Sequence, residues 1–252
     1  MKYGTQRNKE REFLQTKKDV YGNYYKIDDH QIGDMNYHSI IPYNTPDYFF
    51  KEKFKKWFIT LHFTEGLMKS DMYYLTKGHV SVPFYIPRLG GIYNLFPSSL
   101  WSYHLGPGTI GGNEFMSKHS IGIELANMGR LFLDGNILKD RYGSWYCDVN
   151  DVVAYYELDE PFRGARFYAT FTAEQIKSLN HLLGYLTNRY DIPFELLPEE
   201  KRYKRFRDIE ESRAFTGICS HANFRKADEL DDNGLVKKVD IGPAFPWDEL
   251  KS

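Results

Sequence analysis

Cysteine is scarce in this chain. Cys147 and Cys219 are the only two in 252 residues, too few for a disulfide framework, so a reducing site of synthesis is expected. No stretch approaches the ~18 consecutive apolar residues that span a bilayer. The opening "MKYGTQRNKEREFLQTKK" lacks the apolar centre of a secretory signal. These absences predict synthesis in the cytoplasm without a signal peptide, and no membrane insertion. An excess of one charge is missing as well. The 33 basic and 34 acidic residues leave a net charge of −1, which provides no pull toward nucleic acid. No internal repeat or low-complexity tract interrupts the chain. Aromatic residues, by contrast, are plentiful: 20 Tyr and 18 Phe suit a well-filled core first, and stacking on sugar rings second.

At 252 residues the length fits one large domain, or one domain with an extension. Residues 1–50 are polar and irregular, with Gly22-Asn23, Gly33-Asp34, Pro42 and Pro46. They read as an N-terminal extension that wraps the domain or carries short elements of its own. Residues 51–252 read as the main domain. Its first periodic segment, "KKWFITLHF", has the near-continuous apolar run of a strand buried on both faces in the middle of a mixed sheet. "GLMKSDMYYLTKG" follows as a helix closed by Gly78. "VSVPFYI" and "GIYNLF" flank Gly90-Gly91 as a hairpin, and "SIGIELAN" is a second buried strand. Around 128–170 the chain is elaborated by an insertion, in which "LFLDGNILK" carries an Asp-Gly hairpin signal. Over "TAEQIKSLNHLLGYLTNRYDIP", Thr172 and Gln175 have capping-box spacing, and Ile176, Leu179, Leu183 and Leu186 share one helical face. The order strand, helix, strands, strand, helix predicts an α/β fold with helices layered on a mixed central sheet. The basic run "KRYKRFR" at 201–207 is surrounded by Glu199, Glu200, Asp208, Glu210 and Glu211. It reads as a solvated helix face rather than a polyanion site.

Three polar residues stand where buried strands end. His62 closes "FITLH", Glu124 lies inside "SIGIELAN", and His221 follows "FTGIC". Singly, each is more often a hydrogen-bonded core residue than a functional one. Together they suit metal-assisted hydrolysis. A catalytic zinc takes three protein ligands and keeps one position open. His62 and His221 offer imidazoles, Asp240 a carboxylate, Glu124 a proton acceptor, and Lys238 a cation for a developing oxyanion. In an extended segment Lys238 and Asp240 share a face.

With those residues in place, the sequence resembles the zinc-dependent N-acetylmuramoyl-L-alanine amidases of the type-2 family, which includes peptidoglycan recognition proteins and phage endolysins. The resemblance runs from about Trp57 to Trp247. It is carried by "FITLHFTEG", "VSVPFYIPRLGGIYNLFP", "SIGIELAN", "GICSHANFRK" and "KKVDIGPAFPW", in that order. It implies an amidase-like mixed sheet flanked by helices, and Zn2+ on His62, His221 and Asp240, with Glu124 and Lys238 as the catalytic pair. It also implies hydrolysis of the amide between N-acetylmuramic acid and L-alanine in peptidoglycan or muropeptides. His104 and Trp101, in "WSYHLG", are expected to line the substrate cleft. The chain departs from the family pattern at Pro83, at Ile241, and in the 19-position gap between His221 and Asp240. That gap makes Asp228 a competing ligand candidate, and Cys219 a weaker one. A phage or prophage endolysin acting on the cell wall is the expected setting. A cytoplasmic muropeptide-recycling amidase and a non-catalytic peptidoglycan-binding module are the alternatives.

Overall fold

Two adjacent buried strands of the main sheet, at residues 58–63 and 120–125, explain how the domain is layered. The computed structural model describes residues 4–42, 48–77, 79–225 and 239–251. Its strands are β1 (Tyr25–Ile32), β2 (Met35–Pro42), β3 (Phe58–Phe63), β4 (Phe84–Ile86), β5 (Tyr93–Asn94), β6 (Ser120–Leu125), β7 (Arg130–Asp134), β8 (Ile137–Lys139), β9 (Trp145–Asp148), β10 (Tyr155–Phe162), β11 (Ala165–Ala169) and β12 (Gly217–Ser220). The α-helices are α1 (Gly4–Thr16), α2 (Met68–Leu75), α3 (Asn113–His119), α4 (Ala173–Tyr190) and α5 (Ile209–Ala214).

Seven strands form one mixed sheet in the order β1-β2-β5-β4-β6-β3-β12. Strands β4, β6, β3 and β12 run parallel as consecutive neighbours. Successive side chains on a strand point to opposite faces. Ile59, Leu61 and Phe63 of β3, with Ile121, Ile123 and Leu125 of β6, therefore pack with Ile176, Leu179, Leu183 and Leu186 of α4 in one core cluster. The alternate set, Phe58, Thr60 and His62 on β3 and Ser120, Gly122 and Glu124 on β6, turns to the other face. All six residues of β3 are buried, as its apolar run predicts, although only β12 separates it from the sheet edge.

Helix α4 has the expected capping box. The Thr172 hydroxyl accepts from Gln175 N–H at 3.2 Å, and the Gln175 side chain accepts from Thr172 N–H at 3.1 Å. Gln175 also donates to the carbonyls of Ile86 and Ala126, which ties the helix start to the ends of β4 and β6. The two predicted hairpins form: β4 pairs antiparallel with β5, and β7 with β8 across Gly135. Gly78, expected to close α2, lies outside the described residues.

Two regions differ from their sequence reading in regularity. The stretch read as polar and irregular contains the 13-residue helix α1 and an antiparallel pair of eight-residue strands, β1 and β2. β2 then pairs parallel with β5 and lengthens the sheet. Most of β1 is exposed, so it carries no apolar periodicity to announce it. Helix α1 is held by Phe13, which is buried with Tyr25, Met68 and Met72. Glu10 adds a second tie by accepting from the N–H groups of Arg88 and Leu89 at 2.8 and 2.9 Å. The basic run 201–207 does not form a helix face. It lies in a short 3-10 turn and irregular chain ahead of α5, with Lys201 and Arg207 paired to Glu211 and Asp208. Asn223 organises it by donating to the carbonyls of Lys201, Arg202 and Lys204.

Residues 130–169 supply a second, five-stranded sheet in the order β10-β11-β7-β8-β9. Its own small core contains Met128, Leu131, Leu138, Tyr146 and Cys147. Asn127 closes the neck of this unit by donating to the carbonyls of Ala169 and Thr170, while its own oxygen accepts from Gly129 N–H.

Candidate metal centre

Parallel pairing places the predicted residues side by side. His62 on β3 stands opposite Glu124 on β6 in register, and β12 ends beside Leu61, so His221 emerges next to His62. These are the C-terminal ends of three adjacent parallel strands, the edge at which open α/β sheets gather ligands. Asp240 returns from the C-terminal segment, and its carbonyl accepts from Ala222 N–H at 2.8 Å.

The side chains converge closely. His62 Nδ1 and His221 Nδ1 are 3.0 Å apart. Asp240 Oδ2 lies 2.9 Å from His221 Nδ1 and 3.3 Å from His62 Nδ1. The three residues form a buried group able to hold a metal ion, as expected from the sequence. Their hydrogen bonds say which atoms are lone pairs. His221 Nε2 lies 2.7 Å from the Leu105 carbonyl, which only accepts, so Nε2 carries the hydrogen and Nδ1 of a neutral ring is bare. That bare nitrogen faces a second imidazole nitrogen and a carboxylate oxygen. A cation seated among the three would take a lone pair from His62 Nδ1 as well. Two imidazoles and one carboxylate are also the donor types that zinc accepts, so the site fits the metal.

Behind His62 runs a chain of polar contacts. His62 Nε2 is 3.0 Å from His104 Nδ1, and His104 Nε2 is 2.6 Å from Ser120 Oγ. With His62 Nδ1 kept bare for a cation, hydrogens would run one way along it, from His62 to His104 and from His104 to Ser120. Burial, reinforced by the neighbouring His62 and His221, holds the His104 imidazole well below its usual range and keeps it neutral. Gly122 makes room for this ring. A Cβ there would stand 3.0 Å from His104 Nδ1 and 2.5 Å from Val82 Cγ1.

The cleft in front of the three acceptors has a volume of about 510 Å³, and Glu124, His104, Thr64, Glu65, Tyr74 and Lys77 contribute to its walls. His104 is thus part of the cleft wall. Trp101 is not, and its expected place in the cleft is corrected here. It is 4% exposed and stacks on Phe50 at 4.3 Å between ring centroids; it is absent from the residues lining the cleft. Trp101 packs residues 48–50 onto the sheet instead. Cys219 is buried in an apolar cluster with Phe58, Leu105 and Phe224, and burial pushes its thiol far up. It is a core residue, outside the metal-ligating group. Lys238 and Asp228 lie outside the described residues. Thr64, Glu65, Tyr74 and Lys77 were given no role by sequence reasoning, although Thr64 and Glu65 lie inside the block "FITLHFTEG". They reach the cleft through the loop after β3 and through α2.

Similarity to known proteins fits this geometry. A search of curated proteins returns no match. Among solved structures, the chain is similar to the N-acetylmuramyl-L-alanine amidase AmiD from E. coli in complex with its substrate anhydro-N-acetylmuramic acid-L-Ala-D-gamma-Glu-L-Lys. Identity is 19%, covering 88% of this chain and 64% of that one, with a TM-score of 0.47. For AmpDh3 from Pseudomonas aeruginosa the identity is also 19%, the coverages 83% and 64%, and the TM-score 0.46. For the N-acetylmuramoyl-L-alanine amidase LysC from Clostridium intestinale the identity is 16%, the coverages 78% and 83%, and the TM-score 0.39. The chain therefore spans just under two thirds of the first two. The family pattern described as N-acetylmuramoyl-L-alanine amidase matches residues 54–229, well over half of the sequence and the stretch that carries His62, Glu124 and His221. On that match, the chain belongs to the N-acetylmuramoyl-L-alanine amidase family.

Proposed function

We propose that this protein is a zinc-dependent hydrolase of the amide bond between N-acetylmuramic acid and the L-alanine of the stem peptide. The observation that carries the reading is the convergence of His62 Nδ1, His221 Nδ1 and Asp240 Oδ2 at strand ends beside Glu124. His62, His221 and Asp240 would hold the ion. Bound there, zinc supplies Lewis-acid polarisation and lowers the pKa of a water toward ~7.

The chain's own groups do the rest. Leu105 and His104 fix the two imidazoles by accepting their outward hydrogens, so that both inner nitrogens stay bare. Glu124 accepts the proton of the attacking water as its oxygen bonds to the amide carbon. It then returns that proton to the alanine nitrogen as the C–N bond breaks. Lys238 would take the role that the sequence resemblance implies, a cation beside the oxygen that becomes negative. The wall of a bacterium, reached by a phage or prophage endolysin, is the setting we favour. Support comes from the surface that α1 and residues 130–169 add beside the cleft, more than a small soluble muropeptide needs.

Mass spectrometry of products tests the reading. Zinc-loaded protein should release stem peptides beginning at L-alanine, leaving glycan strands intact. Glu124→Gln should retain zinc while turnover falls roughly a hundredfold or more. Full activity in that variant would remove Glu124 from the mechanism. Cleavage of soluble muropeptides alone would favour the recycling role. Failure on both substrates would leave a binding module.

A further inference from the structure

The catalytic cleft has a neighbour. Thr64, Glu65, Asp71 and Tyr74 line the cleft, and the same four residues line a second pocket of about 350 Å³. Both volumes lie in the roughly 300–1,000 Å³ range of small-molecule sites. The remaining walls of the second pocket come from outside the main sheet. Lys9 is on α1, while Asp140, Tyr142, Ser144 and Trp145 belong to the β8–β9 connection and the start of β9. The pocket thus exists only because two flanking segments meet the loop after β3.

That meeting is built into the fold. Glu65 is clamped between Arg130, which is fully buried, and Arg141 of the five-stranded sheet. Asp140 Oδ1 accepts from the N–H groups of Tyr142 and Ser144, each at 2.9 Å, and so fixes the turn that carries Tyr142. The Tyr142 and Tyr74 side chains remain 70% and 64% exposed although both line the pocket. The Arg141 guanidinium lies 5.5 Å from the Tyr142 ring centroid, backing one side of it.

Chemistry selects the ligand. Exposed aromatic faces present flat apolar surface beside the carboxylate and hydroxyl of Asp140 and Ser144, which suits a sugar ring with its C–H face and its hydroxyls. The stem peptide is a poorer match. Its free carboxylates would meet Asp140 and a Glu65 whose own charge already engages two arginines, against a single lysine, Lys9, among the lining residues. We propose that this pocket is a glycan subsite for an N-acetylhexosamine unit next to the muramic acid whose amide is cleaved, with Tyr142 and Tyr74 as stacking platforms. The proposal rests on the amidase reading for its direction along the substrate, but binding at the pocket is separable from hydrolysis.

A β-1,4-linked tetramer of N-acetylglucosamine, which has no scissile amide, is the probe. Calorimetry and tryptophan fluorescence should detect its binding to the full chain, and Tyr142→Ala should weaken it about tenfold. The exposure of Tyr142 means that the truncation opens no internal cavity. In hydrolysis assays the same variant should lower kcat/KM on polymeric wall about tenfold more than on a one-sugar muropeptide. Absence of tetramer binding, equal binding by both proteins, or an equal loss on both substrates would overturn the subsite. Tetramer binding that responds to Tyr142→Ala, in a protein that cleaves neither substrate, would sink the amidase reading and leave the subsite standing.

Discussion

His104 shows how much of this site depends on a residue outside the trio of His62, His221 and Asp240. Its Nδ1 lies 3.0 Å from His62 Nε2 and its Nε2 2.6 Å from Ser120 Oγ, contacts through which it would receive the outward hydrogen of His62 and pass one on. A metal-binding imidazole held in this way has its tautomer and ring angle fixed. Replacing His104 with Ala removes that support without touching the three converging atoms. Zinc affinity, measured by competition with a chromophoric chelator, should fall roughly 10- to 100-fold. His104→Gln, which can still accept and donate, should recover part of the loss. Unchanged affinity in His104→Ala would mean that strand geometry alone orients His62.

Among the elements, α4 was the most legible in sequence, because its signals are local. Thr172 and Gln175 sit three residues apart, and the apolar face repeats at helical spacing. Thr172 does more than cap, since its hydroxyl donates to the Arg88 carbonyl at 2.7 Å. Thr172→Ala should cost about 1 kcal/mol, and somewhat over that if the Arg88 contact adds to the cap. Urea denaturation measures it, and no change in midpoint would show that tertiary packing alone holds the helix start. Strands β3 and β6 were legible for a related reason: burial on both faces writes a continuous apolar run. β1 and β2 were not, because one exposed strand face leaves no such run. Trp101 was misplaced for a similar reason. An aromatic beside a site histidine in sequence can turn away from the site in space, and here it stacks on Phe50. The cluster of His62, His221 and Asp240 was legible because the two histidines stand where buried strands end and Asp240 precedes the Gly242-Pro243 pair. The second pocket was not, since it joins residues from α1, α2 and β9 whose proximity only the fold creates.

Across the whole molecule, Asp71 joins the two pockets to the core and leaves a mark on stability. Burial pushes its carboxyl up to about 7, against the lowering effect of donors Tyr85 and Thr64, and with a further push from Glu10. The folded chain therefore holds this proton between pH ~4 and ~7, where an unfolded chain has already released it. Its contribution is fully present below pH ~4 and is lost as pH rises through 7, a difference on the order of a few kcal/mol. Glu10 shifts in the same sense, so the effect is shared. Asp71→Asn keeps an acceptor for the Tyr85 and Thr64 hydroxyls but cannot titrate. Its urea midpoint should differ less between pH 4 and pH 7 than that of the parent chain. An identical difference in both proteins would assign the slope to other groups.

The three converging residues come from widely separated stretches: an inner strand, the end of an edge strand and the C-terminal segment. An ion bound among them is a clasp as well as a reagent. It would fasten β12, which pairs with β3 over only four residues, to the sheet on one side and to the turn at Asp240 on the other. Because the unfolded chain cannot assemble that trio, occupancy at a hundredfold excess over Kd adds about 2.7 kcal/mol to the native state. Scarcity of the metal would then loosen the protein as well as silence it, and supply of one trace element would bear on how long each copy survives.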